Sequence, residues 1–136
     1  MSKKLDYILL ADDDKDCNFY HKRVLSKMDI TQSIHVANDG QEALTFILKD
    51  KNPEDRGIIF LDINMPIMDG WEFLEEYEKL ENRKKSNDVL IVLTTSLNPD
   101  DKDRAVRQRS VDDYYNKYLK RDAVNKILRE HFFDMV

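Results

Sequence analysis

Ile58-Ile59-Phe60-Leu61-Asp62-Ile63-Asn64-Met65-Pro66-Ile67-Met68-Asp69-Gly70 runs four successive apolar residues straight into a carboxylate. A run this apolar, rich in β-branched and aromatic residues, predicts a strand buried on both faces, as in a parallel sheet covered by helices. Asp62 then stands at the carboxyl end of that strand. In open α/β sheets this edge is where ligands bind, because the loops leaving the strands form a crevice there. Pro66 and the Asp69-Gly70 pair mark a loop, since proline lacks a backbone donor and glycine reaches turn conformations closed to other residues. Taken alone, Asp62 is explained equally well as a turn cap.

The same pattern recurs on either side. Tyr7-Ile8-Leu9-Leu10-Ala11 is a second apolar run and ends in Asp12-Asp13-Asp14. Asp14 is suited to cap a helix over about Lys15 to Met28, with Cys17, Tyr20, Val24, Leu25 and Met28 as its apolar positions. Ser33 to Ala37 reads as a short strand. Asn38-Asp39-Gly40 turns the chain into a helix over Gln41 to Lys49 with Ala43, Phe46 and Ile47 inward. Asp50 to Gly57 is a polar loop. A third helix from about Gly70 is expected to bury Trp71, Leu74, Tyr77 and Leu80, and its tail Glu81-Asn82-Arg83-Lys84-Lys85 to be solvated.

Val89-Leu90-Ile91-Val92-Leu93 is the third strongly apolar run and delivers Thr94-Thr95-Ser96. Pro99 suits a helical first turn, with Asp100 and Asp101 at its positive end and only Ala105 and Val106 as anchors, so this fourth helix should be the least deeply packed. Val111 to Asn116 is a short strand carrying Tyr114 and Tyr115 and followed by Lys117. A last helix, about Arg121 to Phe133, sets Val124, Ile127, Leu128 and Phe132 on one face. Five strands alternating with five helices predict a doubly wound parallel α/β sheet.

A length of 136 residues fits one domain with a real core. The balance of 22 Lys+Arg against 27 Asp+Glu, net charge -5, argues against broad nucleic-acid binding, which needs a basic face. Cys17 is the single cysteine, so no internal disulfide forms and a buried, inert thiol is expected. The apolar run behind Ser2-Lys3-Lys4 is broken by Asp6 and stops at Asp12, so we expect no export signal, no membrane span and a cytoplasmic location.

Collected along one sheet edge, the strand ends offer Asp12, Asp13, Asp62, Thr94 and Lys117. Three carboxylates in one place repel unless a cation intervenes, and hard oxygen ligands suit Mg²⁺. A hydroxyl and an ammonium beside that ion can meet the oxygens of a phosphoryl group, with a carboxylate as nucleophile.

These residues resemble the receiver domain of two-component response regulators, of the stand-alone chemotaxis-regulator kind. The resemblance covers essentially the whole chain. It rests on Leu9-Leu10-Ala11-Asp12-Asp13-Asp14, Leu61-Asp62-Ile63-Asn64-Met65-Pro66 with Met68-Asp69-Gly70, Val92-Leu93-Thr94-Thr95-Ser96, and Tyr114-Tyr115-Asn116-Lys117. It implies a flavodoxin-like fold with strand order 2-1-3-4-5. It further implies that Asp62 accepts a phosphoryl group from a phosphohistidine on a sensor histidine kinase or histidine phosphotransfer domain. By the same match Asp13, Asp62 and the backbone carbonyl of Asn64 hold Mg²⁺, Asp12 acts through a metal-bound water, Thr94 and Lys117 contact the phosphoryl oxygens, and Thr94 with Tyr114 forms the switch pair.

The implied protein is a signalling phosphoacceptor that catalyses only its own phosphorylation and dephosphorylation. The chain ends at its last helix, which leads us to expect a single domain with no output domain. Output would then pass by protein contact through helix four, strand five and helix five. Asn64 and Ser96 flank the site at positions that affect hydrolysis in the family. One departure stands out: receivers usually follow the lysine with proline in a cis bond, and here Tyr118 follows. A cis bond before a non-proline residue costs about 2.5 to 4 kcal/mol, so cis and trans both stay open. Competing functions are a relay intermediate or phosphate sink, a phosphate-independent adaptor supported by Tyr118, and a small-molecule phosphohydrolase. The last is disfavoured because Asn64 stands where its second acid is needed.

Overall fold

A computed structural model describes residues 4–80, 87–95 and 99–132. Its elements are β1 (Tyr7–Ala11), α1 (Lys15–Met28), β2 (Ile34–Ala37), α2 (Gly40–Thr45) running into a π-helical turn (Phe46–Asp50), β3 (Gly57–Asp62), α3 (Gly70–Glu78), β4 (Asp88–Thr94), α4 (Pro99–Arg107), β5 (Asp113–Asn116) and α5 (Arg121–His131). All pairings are parallel, in the order β2-β1-β3-β4-β5 that the receiver-domain resemblance implies.

The unbroken apolar runs are explained by two cores, one on each face. Leu9, Ala11, Ile59, Leu61, Leu90 and Val92 pack with Ala43, Ile47, Phe73 and Leu74. Ile8, Leu10, Ile58, Phe60, Ile91 and Leu93 pack with Leu25, Val124, Ile127 and Leu128. Neighbouring residues in a strand therefore point into different cores, and each large aliphatic side chain so buried contributes about 1.5–3 kcal/mol. Aspartates start three of the helices. Asp14 accepts from Asp16 N–H and Cys17 N–H, Asp39 from Glu42 N–H, and Asp69 makes a reciprocal capping box with Glu72.

Several sequence expectations are corrected. On α1 the buried positions are Cys17, Asn18, His21 and Leu25, with Tyr20, Val24 and Met28 at the margin. The second helix does not run evenly to Lys49 but widens at Phe46, where Lys51 N–H bonds Phe46 C=O at 3.0 Å. Phe73 is buried in α3 with Leu74 and Tyr77, whereas Trp71 and Leu80 are only partly covered. On α4 Ala105 is the buried anchor and Val106 is 58% exposed. Gly57 opens β3 rather than closing the loop, because the Tyr7 ring lies over it and a Cβ there would come within 2.2 Å of that ring. The charged tail 81–85, Ser96 and Phe133 lie outside the described residues.

Candidate functional site

The sheet register assembles the site. Ala11 pairs with Leu61, so Asp12 leaves β1 beside Asp62 at the end of β3, and Asp62 in turn pairs with Leu93, one residue before Thr94. Thr94 pairs with Asn116, which brings Lys117 to the same edge. Asp12, Asp62 and Thr94 are buried and Asp13 is exposed. Carboxylate oxygens of Asp12, Asp13 and Asp62 lie within 4.8 Å of one another.

Lys117 closes this group from the β5 side. Its Nζ lies 2.7 Å from Asp12 Oδ2 and 3.4 Å from Asp62 Oδ2. The Lys117-Tyr118 peptide bond is cis, which settles the geometry that the sequence left open. Lys117 N–H donates to the Thr94 carbonyl at 3.1 Å, tying the base of the lysine to the end of β4. Burial pushes the Asp62 carboxyl up to about 6; the Lys117 ammonium pulls it down, the Asp12 charge pushes it up, and the Asn64 backbone N–H it accepts pulls it down. Lys117 is held above its usual value: burial opposes its charge, but the hydrogen bond to Asp12 and the charges of Asp62 and Asp12 prevail.

The loop after β3 is held against Asp62 by Gly70, whose N–H bonds the Ile63 carbonyl at 2.8 Å. A Cβ at Gly70 would stand 2.7 Å from the Asp62 carbonyl oxygen, so close approach, not turn conformation, requires glycine here. The left-handed residue of this loop is instead Ile67, with φ 67°.

The donor set suits the divalent ion expected from the sequence. Three carboxylates lie together, two of them share one lysine, one is pushed upward by burial and its neighbour's charge, and all are hard oxygen donors. Tyr114 does not join this group. It pairs with Val92, packs on the α3 side of the sheet and lies near Asp101 of α4, whose charge, after burial, raises its hydroxyl.

Two residues at the site were missed by the sequence reasoning. Asn18 donates to the Asp12 carbonyl at 2.8 Å, and His21 lines the same packed gap as Asp12, Asp62 and Leu93. The four-residue spacing Cys17, His21, Leu25 was the available signal, since it puts a histidine on the inward stripe.

The family profile described as response regulator receiver domain matches residues 8–129. Response regulator Rcp1 of Synechocystis sp. is 33% identical over 97 residues, 69% of this chain and 65% of Rcp1. Hybrid signal transduction histidine kinase L of Dictyostelium discoideum is 29% identical over 132 residues, 96% of this chain and 7% of the kinase. The chain thus spans less than two thirds of either curated relative. A two-component response regulator structure from Cytophaga hutchinsonii superposes with TM-score 0.82 at 27% identity, covering 96% of this chain and 99% of the other. Fold, strand-end acids and profile agree, and the chain belongs to the response regulator receiver domain family, the signalling modules of two-component systems.

Proposed function

We propose that this protein is a phosphoacceptor that takes a phosphoryl group onto Asp62 and signals through protein contacts that depend on it. One observation carries this reading: a buried strand-end carboxylate within reach of two further carboxylates and one ammonium. In the transfer, an Asp62 oxygen attacks phosphorus, the bond from phosphorus to the donor histidine nitrogen breaks, and the imidazole leaves with that electron pair. Lys117 meets the charge on the phosphoryl oxygens, and its release from Asp12 and Asp62 accompanies their engagement elsewhere. Thr94 supplies a hydroxyl from the adjacent strand end.

Asp13, Asp62 and the Asn64 carbonyl would hold Mg²⁺, with Asp12 acting through a water. The ion supplies charge neutralisation at the phosphoryl oxygens. The donor is a sensor histidine kinase or a histidine phosphotransfer domain. Output runs from Thr94 through Tyr114 to α4, β5 and α5, because Tyr114 pairs with Val92, two residues before Thr94, and feels the charge of Asp101 on α4. We place this receiver domain in the cytoplasm. No helix among the described residues is long and apolar enough to cross a membrane. Similarity to a hybrid kinase supports a second role, as a relay intermediate, which back-transfer to a histidine domain would reveal.

The test is intact-mass detection of phosphorylation by a small acyl-phosphate donor. Wild type should gain one phosphoryl group only with Mg²⁺, and Asp62→Asn should lose at least 95% of the gain (about a twentyfold effect or more). Equal labelling of the variant, or labelling indifferent to Mg²⁺, would overturn the assignment.

A further inference from the structure

His21 faces the site from α1, and nothing described so far accounts for it. It is 2% exposed and lines the same closed, packed gap as Asp12 and Asp62. Its Nε2 lies 3.0 Å from the backbone nitrogen of Leu119. A backbone N–H can only donate, so Nε2 carries the lone pair and the ring proton sits on Nδ1, which faces Cys17 Sγ at 3.5 Å. Only neutral imidazole in this tautomer satisfies both contacts. Burial favours that state, holding His21 down at about 4, with Asp12 opposing and Lys117 assisting. The thiol stays protonated, pushed up to about 12 by burial and then by Asp12.

The contacts fall around one short turn. Lys117 N–H is tied to Thr94 C=O at 3.1 Å, and Leu119 N–H is tied to His21 Nε2 at 3.0 Å. Between them the Tyr118 ring packs on Tyr20 at 5.1 Å and on His21 at 5.8 Å, and Leu119 is buried. The backbone that carries Lys117 is thus pinned to β4 on one side and to α1 on the other.

We propose that His21 is a positioning residue for Lys117, its Nε2 holding the 117–119 turn where the ammonium bridges Asp12 and Asp62. The proposal rests on the phosphoacceptor reading for its consequence in catalysis, but its structural claim stands separately. Asn18 on the same helix donates its amide N–H to the Asp12 carbonyl and so holds the other side of the site. A displacement of about an ångström at a reacting centre is enough to cost up to about a hundredfold in rate.

Two readouts test it on His21→Phe, which keeps a ring but removes the acceptor, and His21→Gln, which returns an acceptor oxygen near the Nε2 position. The first is acetylation of Lys117 by acetic anhydride, followed by peptide mass mapping, with buried Lys51 as the control for general opening. Lys117 should react about tenfold faster in His21→Phe, return to within about threefold of wild type in His21→Gln, and do so while Lys51 stays protected. The second is the initial rate of acyl-phosphate labelling. His21→Phe should lose about tenfold, and should cost nothing further in a Lys117→Ala background. Unchanged Lys117 reactivity in His21→Phe overturns the proposal, as does an equal loss with and without Lys117. A variant that exposes Lys51 as well has opened globally, and His21→Gln then decides: unprotected Lys117 with protected Lys51 in that variant also overturns it. If wild type is not labelled but Lys117 responds as described, the phosphoacceptor reading fails and the positioning role survives.

Discussion

At the amino-terminal edge of the sheet Asp88 accepts from the Tyr7 and Tyr77 hydroxyls and pairs with Lys51 Nζ at 3.1 Å, with the two charged side chains 0% and 1% exposed. At the carboxyl-terminal edge Asp12 and Asp62 share Lys117, with the exposed Asp13 carboxylate beside them. Both edges combine buried acid and lysine, but the first matches one carboxylate with one ammonium and two hydroxyls, whereas the second is incomplete in charge: its two buried carboxylates, with Asp13 close by, share the Lys117 ammonium. Burial, and then the Asp88 charge, push both tyrosine hydroxyls upward, so they remain neutral donors at any ordinary pH. The comparison teaches that buried charge becomes a staple when its hydrogen bonds are complete. Where several carboxylates share one ammonium, the same groups form a place where an ion or a phosphoryl group is welcome.

The largest effect should come from breaking the complete edge. Asp88→Ala leaves Lys51 buried without its carboxylate and deprives Tyr7 and Tyr77 of their acceptor, and we expect a loss of about 3–5 kcal/mol in urea unfolding. Phosphoryl labelling at temperatures where the variant is folded should continue. A loss below about 1 kcal/mol would mean that water repairs this edge and that it is no staple.

The incomplete edge should respond with the opposite sign. The Asp62 carboxyl stands at about 6 in the folded protein, above the value of a free carboxyl. A raised carboxyl favours the folded state when protonated, so its contribution is present at low pH and is lost as pH rises through about 6. Asp62→Asn removes that loss. Without Mg²⁺ the variant should match wild type near pH 4 and gain about 1–2 kcal/mol at pH 8, the full linkage being reduced by solvent screening. Thermal midpoints across this range would check it. A gain that is equal at both pH values would assign the effect to packing rather than to crowded charge.

The sequence exposes these two edges unequally. The carboxyl-terminal edge is legible because each functional residue ends its strand or directly follows it: Asp62 and Thr94 are the last residues of β3 and β4, and Asp12 and Lys117 come straight after Ala11 and Asn116. Strand order then makes them neighbours without further information. The amino-terminal edge is hidden because Lys51 sits in a polar loop and Asp88 heads β4, where both look like solvated charges. Their burial depends on the widened turn of Phe46–Asp50, on Gly57 leaving room for the Tyr7 ring, and on Tyr77 reaching from α3. No periodicity announces that combination. The available hint was chemical: buried tyrosines at the start of β1 and on the inner face of α3 each need a partner for a hydroxyl. Tyr114 was read in the right strand, yet whether its ring faces the acids or α4 is a matter of rotamer and packing, which strand position does not decide.

The smallest effect concerns the backbone beside Asp62, where the incomplete edge carries a second cost. Ile67 has φ 67° and is 83% exposed, so a β-branched residue occupies the left-handed region with almost no burial to offset it. Its neighbours hold it there: Met68 N–H bonds the Pro66 carbonyl and Gly40 N–H bonds the Met68 carbonyl, both at 2.7 Å. Asparagine adopts this conformation more readily because its short polar side chain bonds locally. Ile67→Asn should therefore stabilise the protein by about 0.5–1 kcal/mol, seen as a rise of about 1–4 °C in the thermal midpoint. Because this strain is conformational and not ionic, the gain should be the same at pH 4 and pH 8, unlike that of Asp62→Asn. A midpoint left unchanged at both pH values would remove backbone strain from the contrast, leaving crowded charge as what separates the two edges.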